Sequence, residues 1–537
     1  MTASPHADAP PLDAPHADAL PPDAPHRAHP RPVDATAPAA APAPPGYWAT
    51  VSAVGCSALM LPFSVTGAAV ALPSMTAHLG ASVSAAQWML NAFNITFAAL
   101  PLAAGGLADR IGRRRVLLTG IALVGALSAV VALAPSMAVA DAARAVQGCG
   151  AAAVLASGAA VLANATSGRR RRLAFGVLGT AFGTGLAIGP MAAGALVEAA
   201  GWRSVFLLVA ALAVPAWLCA TRAPESRDPG HPGVDLPGLG CFTAGLGALS
   251  FALVRATTAG WTAPGTLLPL AGALLLVALF VVVEQRRAGR AMVDVRLFRR
   301  PAFLALMCQP FTVTLGFVVL LVHLPAYLQG VGGRSVLTSA LLLLPMTAPV
   351  LLLPLPAARL AAACSVRTVL TAASVLIVVG ALLLTTVRAD GSWAALAVPL
   401  LPFGAGVGLA FGVMDDAAVG TVPPEQAGAA AGVFNTMRVT GESVAVSGAA
   451  ALLSTLTAAR LDGAGLSPGD AARVAALAVQ GRVPAAHHPA LTAGLTGALH
   501  TLGVVLAVMS AVGAVLTHLA LAPGAAAGTD AEAEADR

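Results

Sequence analysis

The sequence predicts an all-α polytopic membrane protein with 14 transmembrane helices, arranged as two six-helix bundles plus two extra central helices. Hydrophobic residues make up 57% of the 537-residue chain and charged residues only 10%, whereas soluble domains carry about 25% charged residues. Apolar stretches of about 20 residues, each long enough to cross a bilayer as a helix, recur along most of the chain. Short sequence matches also recur at one constant offset, which indicates an internal duplication.

The two ends of the chain differ from this apolar body. Residues 1–46 are rich in Pro, Ala, Asp and His, with His6, His16 and His26 spaced ten residues apart. This composition predicts a disordered tail, with transient metal binding as the alternative interpretation. The tail lacks the basic start and short apolar core of a signal peptide. Residues 523–537 form a second, acidic tail.

The apolar windows between the tails place the predicted spans in order. They lie at about 48–73, 87–106, 116–136, 140–163, 173–197, 203–220, 237–256, 265–284, 302–325, 336–357, 366–387, 393–414, 427–455 and 491–520.

The arginines determine the predicted orientation. With the first span running outward, 18 arginines fall in inner loops and 7 on the outer side. The positive-inside rule then favours a multi-pass protein of the plasma membrane with both termini in the cytoplasm. The longest external loop covers about 456–490.

Charge and composition also exclude several functional classes. Each tail carries a net charge of −3, so the body carries +12, an excess that suits a membrane surface. No basic tract interleaved with aromatic residues indicates nucleic-acid binding. The six cysteines show no CxxC spacing, and HExxH and GxxxxGK[ST] motifs are lacking. We therefore expect no metal site, no cofactor and no enzymatic activity, and a monomeric chain.

The internal duplication divides the chain into domains. Gly80-Ala81-Ser82-Val83 matches Gly333-Arg334-Ser335-Val336, and Leu107-Ala108 with Arg114 matches Leu360-Ala361 with Arg367, all at an offset of 253. We expect an N-terminal bundle at 47–220, a linker with two additional helices at 221–299 and a C-terminal bundle at 300–522. Duplicated halves are typical of transporters, whose substrate site lies near the membrane midplane between them.

The most specific local motif is the turn Gly105-Gly106-Leu107-Ala108-Asp109-Arg110-Ile111-Gly112-Arg113-Arg114-Arg115 between spans 2 and 3. Glycines permit close helix approach, and the arginines favour anionic headgroups. A positive-inside loop alone explains the arginines but leaves Asp109 unexplained. We predict that Gly105, Asp109, Gly112 and Arg113 control a conformational switch.

This turn resembles the loop signature of the major facilitator superfamily, and further motifs agree with it. Five other segments match motifs of this family: Arg144 with Gln147-Gly148; Gly185 to Pro190 followed by Gly194; Gly201-Trp202-Arg203; Leu297-Phe298; and Val422 to Gly428. The predicted number of fourteen spans resembles that of the drug:proton antiporter branch of this family, which has two extra helices. The resemblance implies alternating access, with export of small amphipathic compounds against inward proton flow.

In span 5, Gly185, Gly189, Pro190 and Gly194 look like the antiporter motif of that branch. Small residues let helix backbones pack closely, and proline removes a hydrogen bond and bends the helix. A kinked, tightly packed span 5 would seal a leak path. Generic close packing of a glycine-rich helix is the alternative.

Two departures from the family pattern bear on coupling. Ser64 stands where the antiporter branch carries an aspartate in span 1, and that span contains no acid. The second copy of the loop motif has Ala362 and Ser365 at the positions of Asp109 and Gly112.

Acids within spans are the remaining candidates for proton transfer, because ionisable groups in a membrane are costly unless they are paired or hydrated. Glu442, near the centre of span 13 with Arg438 one turn earlier, is predicted to form a pair that couples proton release to substrate binding. A permanently ionised structural pair is the alternative. Asp141 with Arg144 is the second candidate pair, with the same structural alternative. The acids at 415 and 416 are interpreted as a solvated helix end.

Polar and aromatic residues of span 2 indicate a substrate cavity. Trp88, Asn91 and Asn94, with Ser64 from span 1, are the predicted lining, although the asparagines would equally serve as hydrogen-bond donors between helices. His323 and His500 are interpreted as packing residues.

These observations favour a proton-coupled exporter of amphipathic compounds such as drugs, antibiotics or secondary metabolites. The missing acid in span 1 motivates the alternative of a facilitator or uptake transporter that uses no protons. A membrane receptor or enzyme is the third hypothesis, and it gives no reason for duplicated halves.

Overall fold

The computed structural model describes residues 46–81, 83–227, 236–260, 262–286, 295–388, 390–461, 466–484 and 487–522. Every regular element in these ranges is a helix, which confirms the predicted all-α membrane fold. The predictions for residues 1–45 and for the acidic C-terminal tail lie outside the described residues.

The first half contains seven helices. They are α1 (Tyr47–Leu79), α2 (Val83–Ala99), α3 (Pro101–Ile111), α4 (Arg113–Ala132), α5 (Met137–Ala165), α6 (Gly168–Ala200) and α7 (Arg203–Ala220). Two inserted helices follow, α8 (Leu236–Ala259) and α9 (Pro264–Arg286).

The second half begins at α10. Its helices are α10 (Pro301–Gly330), α11 (Val336–Leu342), α12 (Leu344–Leu352), α13 (Pro354–Ala363), α14 (Val366–Leu383), α15 (Trp393–Phe411), α16 (Met414–Val419), α17 (Ala427–Ala459), α18 (Pro468–Val479) and α19 (His488–Ala520).

Eleven helices in the described residues are long and apolar enough to cross a membrane, and up to thirteen spans result if each of two bent helix pairs counts as one. A shorter apolar helix, Pro237–Leu253, lies within α8. The prediction of fourteen spans therefore stays a prediction. The predicted external loop contains α18.

The two bent pairs occupy equivalent positions of the duplication. The pair containing α2 and α3 bends by 51° and the pair α12–α13 by 52°. The bends precede Pro101 and Pro354, which are 253 positions apart, and proline ends a helix by removing its N–H group and colliding with the preceding turn. Gly80 and Gly333, at the same offset, both adopt positive φ angles of 62° and 60°. The repeated bends and turns support the internal duplication.

The two halves meet near one end of the helices, which we call the arginine-rich end because it carries Arg113 to Arg115 and Arg169 to Arg172. There, α3 packs against α17, and α6 packs against α12 and α13. A Cβ atom at Gly105 would overlap the Gly428 carbonyl oxygen, so α3 and α17 approach backbone to backbone. The equivalent contact joins Ala358, 253 residues after Gly105, to Gly176 of α6. The duplication thus produces two similar contacts between the halves.

Candidate functional site

At the arginine-rich end, the Asp109 side chain joins the two halves directly. The carboxylate is 1% exposed and accepts hydrogen bonds from the backbone N–H groups of Gly428 at 3.1 Å and Ala429 at 2.9 Å. Both N–H groups lie in the first turn of α17, where they have no partner within the helix and the helix dipole is positive. A carboxylate of the first half therefore caps a helix of the second.

Arg113 holds this carboxylate in position. Its Nε donates to Asp109 Oδ1 at 2.7 Å, and its Nη2 donates to the Pro424 carbonyl at 2.9 Å, just before α17. Arg113 is also 1% exposed, so the ion pair lies out of water. Charge-assisted hydrogen bonds of this kind are about twice as strong as neutral ones. The arginine therefore contacts both halves.

Glycines make room for this arrangement. Gly112 has a φ angle of 121°, which only glycine adopts readily, and a Cβ atom there would lie 2.7 Å from the Glu225 carboxylate. Gly105, Asp109, Gly112 and Arg113 thus lie together around the start of α17, and their role in switching remains a prediction. Sequence reasoning missed the partner of Asp109, because a contact across 319 residues leaves no local pattern.

The predicted pair of Asp141 and Arg144 is not what the structure shows. The Arg144 guanidinium donates to Gln147 Oε1 at 2.7 Å and to Ser64 Oγ at 3.1 Å, and it lies 4.0 Å from the centre of the Phe93 ring. Asp141 Oδ1 has no hydrogen-bond partner among the described residues. Arg144 is fully buried within the bundle whereas Asp141 is half-buried near the start of α5, so sharing a helical spacing did not bring the two side chains together.

The pairing predicted for Arg438 also requires correction. Its Nη2 donates to Asp415 Oδ2 at 2.7 Å, and its guanidinium lies 4.8 Å from the centre of the Phe434 ring and 5.1 Å from that of Phe182. Asp415 is 6% exposed, so it is not part of a solvated helix end. The helix is interrupted between the end of α15 and the start of α16, and this interruption turns Asp415 towards α17. The neighbouring Asp416 pairs with Arg171 of α6 across the two halves.

Glu442 instead lines a cavity between the halves, without a hydrogen-bond partner at Oε1 among the described residues. The cavity has a volume of about 360 Å³ and is enclosed by α1, α2, α8, α10 and α17. Asn91 and Asn94 line it, as the sequence predicted for a substrate cavity. Trp88 stacks on Phe251 of α8 instead, with ring centres 5.9 Å apart.

The remaining predicted cavity residue, Ser64, is 1% exposed and lies behind the wall, where it binds the guanidinium of Arg144. Its neighbour Val65 faces the cavity. Sequence reasoning missed Ser250 and Leu253 of α8, which also line it. No motif marks these residues, and only their placement in space identifies them.

The predicted antiporter-motif residues pack α6 against α1. A Cβ atom at Gly185 would lie 2.6 Å from the Leu59 carbonyl oxygen, and one at Gly189 would overlap the Thr66 hydroxyl. Gly194 has open space around it, and Pro190 lies within the continuous helix α6. These contacts fit close packing, while a sealing role for the segment stays a prediction.

The two histidines interpreted as packing residues each place a ring nitrogen within hydrogen-bond distance of a backbone carbonyl. His323 Nε2 lies 3.3 Å from the Val446 carbonyl oxygen, and His500 Nε2 lies 2.8 Å from the Val387 carbonyl oxygen. His323 also lines a second cavity, of about 500 Å³, that shares Val322 and Ser447 with the cavity of Glu442 and extends towards α18.

The sequence model of the Major Facilitator Superfamily matches residues 54–446. A probable actinorhodin transporter of Streptomyces coelicolor is 30% identical over 428 residues, which cover 77% of this chain and 73% of that protein. The multidrug resistance protein Stp of Mycobacterium tuberculosis is 31% identical over 420 residues, 77% of each chain. The puromycin resistance protein pur8 of Streptomyces alboniger is 34% identical over 445 residues, 80% of this chain and 86% of that one.

Two solved structures share the fold. The human organic anion transporter MFSD10 superposes with a TM-score of 0.51 at 17% identity, covering 86% of this chain and all of that one. The proton:xylose symporter XylE superposes with a TM-score of 0.53 at 15% identity, covering 82% of this chain and 96% of that one.

Proposed function

Because this chain belongs to the major facilitator superfamily, we propose that it is a secondary active transporter that exports small amphipathic compounds from the cell by proton antiport. Relatives named for multidrug resistance, for puromycin resistance and for actinorhodin transport support export as the direction. The observation that carries the proposal is the cap that Asp109 places on α17, since it joins the halves at one end while a cavity lies between them further along the helices.

Alternating access follows from this asymmetry. The distribution of arginines favours a cytoplasmic location for the arginine-rich end in the plasma membrane. The conformation described is then closed towards the cytoplasm. Separating Asp109 from the first turn of α17 would open the cavity to the cytoplasm, and re-forming the cap would close it after a substrate has entered.

Glu442 is the proposed proton carrier. Its carboxyl group lines the cavity, and the arginine one turn earlier, Arg438, is hydrogen-bonded to Asp415 instead. A carboxyl group without a fixed cation can gain or lose a proton without breaking an ion pair. Burial opposes ionisation, so the closed and open states would hold the proton with different affinities. Asp141, also without a partner at Oδ1, is the second candidate.

Transport by purified protein in proteoliposomes tests both parts of the proposal. Accumulation of amphipathic antibiotics, puromycin among them, should require an imposed pH gradient. Glu442→Gln should lose accumulation driven by the gradient but retain exchange of labelled for unlabelled substrate. Asp470→Asn, which changes an exposed acid on α18, is the matched control and should behave as the parent.

The alternative function is facilitation without protons, which the serine at position 64 favours. Transport that reaches the same level with and without a pH gradient, in both the parent and Glu442→Gln, would establish this alternative. If accumulation requires the pH gradient in the parent and Glu442→Gln retains this gradient-driven accumulation, the coupling role would pass to Asp141.

A further inference from the structure

The inserted helix α8 contacts both halves of the transporter. It packs against α2 of the first half and against α17 of the second, and it contributes Ser250 and Leu253 to the cavity wall. The other inserted helix, α9, packs against α8 and leaves Leu274 and Leu275 about two-thirds exposed on its outer side, as suits contact with lipid. Thus α8 lies between the cavity and α9.

Two polar atoms from different elements face this cavity without partners. The Ser250 hydroxyl is 4% exposed and has no hydrogen-bond partner among the described residues, and Glu442 Oε1 likewise has none. Buried polar atoms are nearly always paired, and each that is left unpaired costs about 1–3 kcal/mol. Two such atoms lining one space are suited to an occupant that supplies hydrogen-bond donors to them.

The charge of the cavity defines the kind of donor. Glu442 is the only ionisable residue among those that line the cavity in the described part of the chain. Arg438 is hydrogen-bonded to Asp415, whose negative charge offsets the attraction between Arg438 and Glu442. Arg144 lies behind Phe93, and the ring centres of Phe93 and the lining residue Phe97 are 5.4 Å apart. A single carboxyl group in an otherwise uncharged cavity favours a cation.

The rest of the wall is suited to an apolar body. Ile95, Leu253, Val318 and Val439 face the same space, and Asn91 and Asn94 add amide groups at one side. An occupant that satisfies all these surfaces carries one positively charged N–H group on an apolar framework.

We propose that α8 completes the substrate site of this transporter and that the site binds amphipathic amines, with the ammonium group shared between Glu442 and Ser250. This inference rests on the proposed export function for its biological meaning, but it concerns binding, which needs neither a gradient nor turnover. Ser250 then determines specificity from outside the two six-helix bundles.

Equilibrium binding of two matched fluorescent probes to the purified full-length protein tests the proposal. Dansylcadaverine has an apolar ring system and a protonated primary amine, and its N-acetyl derivative has the same ring system but no charge. The parent protein should bind the amine more tightly. Glu442→Gln should weaken binding of the amine by roughly ten- to a hundredfold, and Ser250→Ala by roughly two- to tenfold, the ranges expected for charged and neutral hydrogen bonds.

Thr243→Ala is the matched control, since it removes a hydroxyl two turns earlier on the same helix and outside the cavity wall. It should leave both affinities within about twofold of the parent. Binding of the N-acetyl derivative should change little in Glu442→Gln. Neither variant removes a hydrogen-bond partner from another group among the described residues, so each should unfold at or above the parental temperature.

Equal affinity of the parent protein for the two probes, or no binding of either, would overturn the assignment of amines. Parental affinity in Ser250→Ala would overturn the role of α8. Failure of the export function is distinguishable, because a protein that binds the amine with these differences but does not accumulate puromycin in proteoliposomes would refute antiport while leaving the site in place.

Discussion

Replacing Asp109 with asparagine should shift the transporter away from the state closed at the arginine-rich end. The carboxylate makes two kinds of contact, and only one of them crosses between the halves. The ion pair with Arg113 lies within the first half, so it persists in both states and cancels from the balance. The bonds to the N–H groups of Gly428 and Ala429 cross between the halves, so they would be lost when the halves separate at this end.

The magnitude follows from those two bonds. A negative charge at a partly buried helix N-terminus contributes up to about 2 kcal/mol. Hydrogen bonds to a charged acceptor contribute about 1.5–3 kcal/mol, and the asparagine oxygen retains part of that. A loss of about 2–4 kcal/mol would shift the equilibrium between the closed and open states by roughly 30- to 900-fold.

Electron paramagnetic resonance distances between spin labels measure this shift directly. Labels at Ile111→Cys and Gln426→Cys, in a background without the six native cysteines, flank the contact from opposite halves at exposed positions. Asp109→Asn should lengthen the main distance and slow transport severely at unchanged membrane abundance. Glu225→Gln is the control, because its carboxylate lies in the segment after α7 and accepts from the Arg114 backbone N–H of the first half. A parental distance distribution together with a parental transport rate in Asp109→Asn would refute the reasoning.

Three further predictions concern other parts of the chain. Arg438→Met should lower the unfolding temperature in detergent, because it leaves the buried Asp415 without its cation at a cost of about 3–5 kcal/mol, and adding Asp415→Leu should restore most of the loss. Ser64→Asp should give the adjacent buried guanidinium a carboxylate partner and keep or raise the unfolding temperature, whereas Ser57→Asp, at a buried position on the same helix, should lower it; equal losses would contradict this account. Deleting residues 2–40, which offer no apolar face, should leave export unchanged at equal membrane abundance, and reduced export would assign the tail a partner.

The sequence was sufficient to predict the helical membrane fold, because apolar length and the distribution of arginines are local properties. The sequence also predicts the duplication, and the equivalent bends before Pro101 and Pro354 support it. The turn around Asp109 is predicted to be functional from one acid between two glycines, and this stays a prediction. Its partner, the start of α17, lies 319 residues away and required the structure.

Predictions of charge pairs were less successful, for a physical reason. Spacing along a helix shows which residues share a face but not which neighbouring helix that face meets. Arg438 therefore binds Asp415 rather than Glu442, and Arg144 binds Gln147 and Ser64 rather than the acid one turn earlier. The contribution of α8 to the cavity likewise depends on tertiary packing alone.

The two equivalent contacts between the halves differ in one respect that matters for how the protein tolerates mutation. At the contact of α3 with α17, a buried ion pair accompanies the close backbone approach. At the contact of α6 with α13, the position equivalent to Asp109 is Ala362, and the packing around Gly176 is apolar. We expect substitutions of Asp109 at the first contact to act on charge and to change the equilibrium by large amounts, and substitutions around Gly176 at the second contact to act on volume and to change it less. Substitutions at the two contacts would thus change the rate of export by larger or smaller amounts, and neither kind requires a change in the residues that line the cavity.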